Sequence, residues 1–238
     1  MINPGRRVDV IRVGRDGSPV IIVDEFLSDP QSCVVLAANA DFIDAGSTYP
    51  GVRAPAPRAY VDALLDATST LIAEQFGAKP EHELDLCAFS MVTTPPEQLR
   101  ASQRIPHFDG PEEERIAFLH YLCAPHQGGT SFFRHRATGL ERVAREHVED
   151  YRQTVVAELR SEPPAQGYFV DEPRLFERLC RIDAAFNRLI IYKGNALHSG
   201  DIPADAVLSE IPGVGRLTIN GFGRLRTGCH DPAFCDTR

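Results

Sequence analysis

Asn187-Arg188-Leu189-Ile190-Ile191-Tyr192-Lys193-Gly194-Asn195-Ala196-Leu197-His198-Ser199-Gly200 is the stretch on which the reading of the fold turns. Arg188 to Lys193 is short, apolar and β-branched, and turn residues bound it, which predicts a strand buried in a sheet. The turn Lys193–Leu197 then delivers His198. Working outward, Leu84–Thr93, Arg104–Asp109, Ile116–Cys123, Thr130–Arg136 and Leu217–Leu225 have the same texture of short runs ended by Gly or Pro. Val8–Val13 and Pro19–Val23 read as two further strands around Gly14–Ser18.

Helices are expected at the front of the chain. Phe26-Leu27-Ser28-Asp29-Pro30 opens one that runs to about Asn39, with Ser28 or Asp29 as N-cap. Tyr60, Leu64, Leu65, Thr68, Leu71, Ile72 and Phe76 recur at helical spacing, and Gly77 ends that helix. Residues 46–57, with three prolines and two glycines, read as a loop. Gly139–Arg160 and Glu172–Cys180 read as helical. The expected fold is mainly β with flanking helices (α+β): one domain over residues 1–238, a sandwich or barrel core over about 84–226, and a helical insertion over about 139–185.

Composition narrows the function. The chain has 238 residues, a formal charge of −8 and no Lys/Arg-rich run, so a nucleic-acid partner is not expected. All of the basic residues except Lys79 and Lys193 are Arg. Cys33, Cys87, Cys123, Cys180, Cys229 and Cys235 form no CxxC pair and read as reduced thiols. Cys229 and Cys235 are near enough to pair, or to join His230 in a metal site. The N-terminus has no continuous apolar stretch, and no apolar run approaches the ~20 residues of a membrane span, so a cytoplasmic protein without a membrane partner is expected.

The chemistry gathers in three places. In Ile105-Pro106-His107-Phe108-Asp109-Gly110, alternation on a strand points His107 and Asp109 to one side, with Cα atoms about 7 Å apart, and Phe108 to the other. Two imidazoles and one carboxylate, once His198 joins, form a triangular donor face of the kind non-haem iron(II) uses, with positions left open. Arg216, at the head of Leu217–Leu225, shares a face with Thr218, and a guanidinium beside a hydroxyl can grip one carboxylate.

The order HFD, GGTSFF, NRLIIYKGNALHSG, GRLTING resembles the jelly-roll (double-stranded β-helix) core of the prolyl 4-hydroxylase-like Fe(II)/2-oxoglutarate oxygenases, and VIIVDEFLSDP with two helices resembles their N-terminal support. The resemblance spans about residues 19–226. It implies His107, Asp109 and His198 as iron ligands and Arg216 as partner of the distal carboxylate of 2-oxoglutarate, with Tyr121 and Thr218 beside it. It also implies O2 as co-reactant, with hydroxylation of a small molecule or peptide and release of succinate and CO2. Asp109 stands where related halogenases bind halide, which favours hydroxylation. The family's Gly-Gly-Glu-Thr reads Gly128-Gly129-Thr130 here, without the Glu, which weakens a prolyl-peptide reading. The 139–185 stretch serves in such an architecture as a lid, a homodimer contact or plain packing. His120 is expected outside the barrel, His135 at a solvated strand end or substrate entrance, and His82, His147 and His230 on the surface. Rival readings are a cupin-like metalloenzyme that does not use 2-oxoglutarate and a non-catalytic jelly-roll binding module; neither accounts for Arg216.

Overall fold

The computed structural model describes residues 1–46, 49–81, 83–169 and 174–226. The readings of His82, Cys229, His230 and Cys235 lie outside those residues. The chain is mainly antiparallel β-sheet with few helices. β1 (Arg7–Val13), β2 (Ser18–Asp24), α1 (Gln31–Ala38), β3 (Ile43–Asp44), β4 (Gly51–Pro55), α2 (Arg58–Phe76), β5 (Lys79–Pro80) and β6 (Leu86–Val92) come first. β7 (Arg115–Tyr121), β8 (Gly129–His135), α3 (Val148–Ser161), β9 (Phe176–Asp183), β10 (Arg188–Lys193), β11 (His198–Asp201) and β12 (Leu217–Arg226) follow. The larger sheet runs β1-β2-β10-β7-β12-β6-β4-β3, with β5 on the end of β12, and the smaller runs β11-β8-β9. No described helix is long and apolar enough to cross a membrane.

β10 explains the layering. Leu189 and Ile191 face α1 and α2, in a core with Leu64, Ile72, Ile116 and Ile219. Ile190 and Tyr192 face the smaller sheet, packing with Leu119, Tyr121, Phe132 and Ile182. A strand covered on both faces has no polar side to present, hence the unbroken apolar run in the sequence. Burying each such Leu or Ile contributes about 1.5–3 kcal/mol. On the far side of the smaller sheet, Tyr151 and Val155 of α3 pack against Phe133 and Phe176, so α3 is a packed outer layer.

Several expectations are corrected. The larger sheet takes in β1, β2 and β4, so the sheet core extends well ahead of residue 84. Residues 46–57 contain β4, which pairs with β6 from Gly51↔Val92 to Pro55↔Ala88; its flanking prolines sit at the strand ends, where a missing N–H is tolerated. The described part of the expected Glu172–Cys180 helix, from Arg174 on, is not helical: Phe176–Asp183 is β9, hydrogen-bonded along β8. Its short apolar run fits either period, and the open edge of β8 decides. Gly139–Ala144 of the expected Gly139–Arg160 helix is not helical; a 3-10 turn at Arg145–His147 leads into the α-helix at Val148. Arg104–Asp109 is no continuous strand; it makes one bridge, His107↔His198, with Pro106 unable to donate to a ladder.

His120 lies on the helix side of β7, as alternation requires, but it is fully buried there. Asn187 Oδ1 accepts from Leu27 N at 2.9 Å and from His120 Nε2 at 3.2 Å, while Asn187 Nδ2 donates to Leu27 O at 2.9 Å. His120 Nδ1 is thereby left to accept from Tyr60 Oη, at 3.0 Å. Burial holds this imidazole neutral, its pKa lowered to about 4. Asn187 also adopts φ 68° in the β9–β10 turn, a left-handed conformation Asn tolerates. One side chain thus ties α2, β7, β10 and the β2–α1 loop together. Asn187→Ala is expected to cost about 2–4 kcal/mol in urea unfolding, because it strands several buried polar groups.

Arg188 sits across from Asp24 on β2, with Nε to Oδ1 at 2.6 Å and Nη2 to Oδ2 at 3.0 Å. The hydrogen bonds from Arg188 hold the Asp24 carboxyl below its ordinary value of 3.8. A depressed acid stabilises the fold above its unfolded pKa and loses that contribution as pH falls through the folded pKa. Asp24→Asn should therefore cost about 1 kcal/mol at neutral pH. The difference from wild type should shrink below about pH 4, as read by thermal unfolding across pH.

Candidate metal centre

Three donors converge where the two sheets meet. The amide N–H of His107 donates to His198 O, and that of His198 to His107 O, both at 2.8 Å. Asp109 N donates to Gly194 O at 2.7 Å. These bonds keep the alternation of a strand in a segment too irregular to be one, so His107 and Asp109 face His198 together. Phe108 turns toward α3, with its ring 6.0 Å from that of Tyr151. His107 Nε2 is 4.0 Å from Asp109 Oδ1, and His198 Nε2 is 3.7 Å from Asp109 Oδ2. One ligand atom from each of the three lies within 4.8 Å of the others.

The protonation pattern suits metal donation. His198 Nδ1 lies 2.9 Å from Ala196 O, and a carbonyl can only accept. Nδ1 therefore carries the proton, and the Nε2 lone pair faces the site. Burial lowers the pKa of the His198 imidazole to about 4, so it is neutral near pH 7; the protein around His107 and the neighbouring His198 shift His107 the same way, although 54% of its side chain is exposed. Burial also raises the Asp109 carboxyl to about 6, and Asp109 Oδ2 is enclosed without a hydrogen-bond partner. Leaving a carboxylate oxygen in that state is costly unless something neutralises it. Two neutral imidazoles and an orphaned carboxylate fit a divalent first-row metal ion.

The donors open onto a cavity of about 420 Å³, also lined by Tyr49, Arg53, Thr130, Tyr168, Tyr192 and Arg216. Arg216 is buried, with only 4% of its surface exposed. Its Nη2 donates to Gly129 O at 3.1 Å, and its Nε has no partner. No described carboxylate pairs with it. A side chain on Gly128 or Gly129 would run into the backbone carbonyls of Asp201 and Ile182, so the two glycines let β8 come close to its neighbours.

Tyr121 and Thr218 are placed differently from Arg216. Tyr121 is fully buried beneath the guanidinium, whose Cζ is 5.7 Å from the ring centroid, and its hydroxyl bonds Thr130 Oγ1 at 2.6 Å. Thr218 Oγ1 bonds Asn220 Oδ1 at 2.7 Å. Neither lines the cavity, whereas Thr130 and Asn220 do. His135 is neither solvated nor at an entrance: it is fully buried, with Nε2 2.8 Å from Glu158 and Nδ1 2.9 Å from Thr138 Oγ1.

Sequence reading missed Arg53 and Tyr49, which lie in the segment taken for a loop, and Tyr168. Asn220 and Phe222 were in reach, since they follow Arg216 at every second residue of one strand.

Residues 4–223 match the model of a family of unknown function, DUF6445. No curated protein matches the sequence. Among solved structures, HygX from Streptomyces hygroscopicus, with nickel and 2-oxoglutarate bound, is 13% identical over 88% of this chain and 84% of its own, at a TM-score of 0.49. SnoN, a non-heme alpha-ketoglutarate-dependent epimerase from nogalamycin biosynthesis, is 9% identical over 86% and 78%, at 0.46. A Pseudomonas putida prolyl-4-hydroxylase is 15% identical over 87% and 93%, at 0.43. What the cavity can do is read from its own side chains.

If Asp109, His107 and His198 hold a metal, adding Zn(II) to metal-free protein should raise the unfolding temperature of wild type and leave Asp109→Asn unmoved. Metal-free Asp109→Asn should be at least as stable as metal-free wild type, because the orphaned carboxylate is gone. An equal response to zinc in both proteins would remove Asp109 from the donor set.

Proposed function

The chain belongs to the DUF6445 family of unknown function, and for it we propose an iron(II)- and 2-oxoglutarate-dependent oxygenase activity on the C–H bond of a small molecule or peptide. The observation that carries this reading is the buried guanidinium of Arg216, without a carboxylate partner, in the same cavity as the His107–Asp109–His198 donors. A buried cation of this kind calls for an anion, and 2-oxoglutarate brings one carboxylate for Arg216 and an oxo-acid end for a metal. With both bound, iron and the oxo acid supply the oxidising power, coupling decarboxylation to succinate with oxygen transfer from O2.

The protein's part is binding, orientation and exclusion of water. The Ala196 carbonyl holds His198 in the tautomer that presents Nε2. Arg216 receives the distal carboxylate, and the Thr130 hydroxyl, oriented by Tyr121, stands on the same wall. Tyr192, 4.9 Å from the His198 ring, and Phe132 behind it keep that side of the donors dry. We read the two sheets as those of a double-stranded β-helix, with the site between them. The −8 net charge favours a small-molecule or peptide substrate over a polyanion.

Anaerobic Fe(II) plus 2-oxoglutarate should give the weak charge-transfer absorption of a chelated oxo acid. Arg216→Met should keep the metal but weaken 2-oxoglutarate binding by roughly 2–4 kcal/mol. Unchanged 2-oxoglutarate affinity in Arg216→Met, or no absorption in wild type, would overturn the reading.

A further inference from the structure

With Arg216 assigned to the cosubstrate, the cavity still holds a second guanidinium without a counter-ion. Arg53 lies on β4, in register with Ser90 of β6. Its Cζ sits 4.3 Å over the ring of Tyr49, and its Nε is enclosed without a partner. Arg115, which lines the same cavity, is by contrast paired with Asp85. No described carboxylate lies within ion-pair distance of Arg53. The acid whose charge it feels is Asp109, which belongs with the two histidines to the donor set. Burial disfavours the charged form of Arg53, and among the described residues only the Tyr49 ring and the charge of Asp109 act against that cost, neither of them an ion pair.

The two guanidiniums enter the cavity from different strands: Arg53 from β4 and Arg216 from the head of β12, with β6 between them. Both lie by Tyr49, on the wall they share with the three donors. A planar guanidinium, fixed by stacking on an aromatic ring, matches the flat fork of one carboxylate. A phosphate monoester, with nearly two charges, would call for more donors than this one side chain.

We propose that Arg53 is the substrate-anchoring residue and that the substrate is a small carboxylic acid, its carboxylate held by Arg53 against Tyr49. This rests on the oxygenase reading above, with Arg216 taken by 2-oxoglutarate.

The test uses full-length protein loaded with Zn(II) and 2-oxoglutarate. A panel of short aliphatic and aromatic monocarboxylic acids, each beside its primary amide, is titrated in ligand-observed NMR. Acids are expected to bind without displacing 2-oxoglutarate, at least about tenfold more tightly than their amides. Arg53→Gln should erase that preference while 2-oxoglutarate affinity stays as in wild type, which also reports that the variant is folded. Arg53→Lys should restore part of it. Equal binding of acids and amides, acid binding that survives Arg53→Gln, or no acid binding at low-millimolar concentration would each overturn the proposal. So would a loss of 2-oxoglutarate affinity in Arg53→Gln, which would assign Arg53 to the cosubstrate. If wild type itself fails to bind 2-oxoglutarate, the oxygenase reading falls, and the acid–amide comparison on the zinc-only protein still decides Arg53.

Discussion

The reciprocal pair of backbone hydrogen bonds between His107 and His198 is the constraint on which the site depends. His198 heads β11 in the smaller sheet, whereas His107 sits in a segment that Pro106 and Gly110 keep out of regular pairing. Those two bonds, with the one from Asp109 to Gly194, fix where three side chains point. Side chains set by backbone pairing need no flexible loop to find each other, and that is the preorganisation a metal site requires.

Around that pair, the protein leaves polar groups unmet that an ordinary core would satisfy. Asp109 Oδ2, Arg216 Nε and Arg53 Nε are enclosed without partners in one cavity. The large apolar cores on either side of the larger sheet supply the stability against which these groups are held. Folded chains tolerate such groups chiefly where a ligand completes them. Away from the cavity a few buried atoms, such as Tyr151 Oη and Asn195 Oδ1, also lack a partner, but the buried histidines described there do not. His120 and Asn187 form a closed network with Tyr60 and Leu27, and His135 is bonded at both ring nitrogens. The buried histidines among the described residues therefore divide cleanly. Those with both nitrogens bonded hold structure together, and His198, with one nitrogen left over, faces the cavity.

Local pattern carried much of this into view. The run from Leu189 to Tyr192, the helix ended by Gly77 and the twin strands at the N-terminus declare themselves through period and punctuation, which are properties of neighbouring residues. The pairing of His107 with Asp109 was legible for the same reason, since alternation survives even where the segment is not a strand. The start of β12 next to Arg216 was legible in the same way, whereas a place for Arg216 beside the donors came from the family resemblance.

Other features depend on partners distant in sequence, and no local pattern could announce them. β4 is extended because β6 offers it an edge, although its prolines and glycine read as a loop. β9 is a strand because β8 has a free side. Tyr121 and Thr218 share a face with the cavity, yet only packing shows that their hydroxyls are taken by Thr130 and Asn220. Arg53 reaches the cavity of the candidate donors through that edge pairing. Periodicity records which way a side chain turns, and so the chain alone indicated most of its strands, its front helices and the common side of His107 and Asp109. Which edges meet, and which buried charges are left without an opposite, are sums over the whole molecule, and tertiary structure alone decides them.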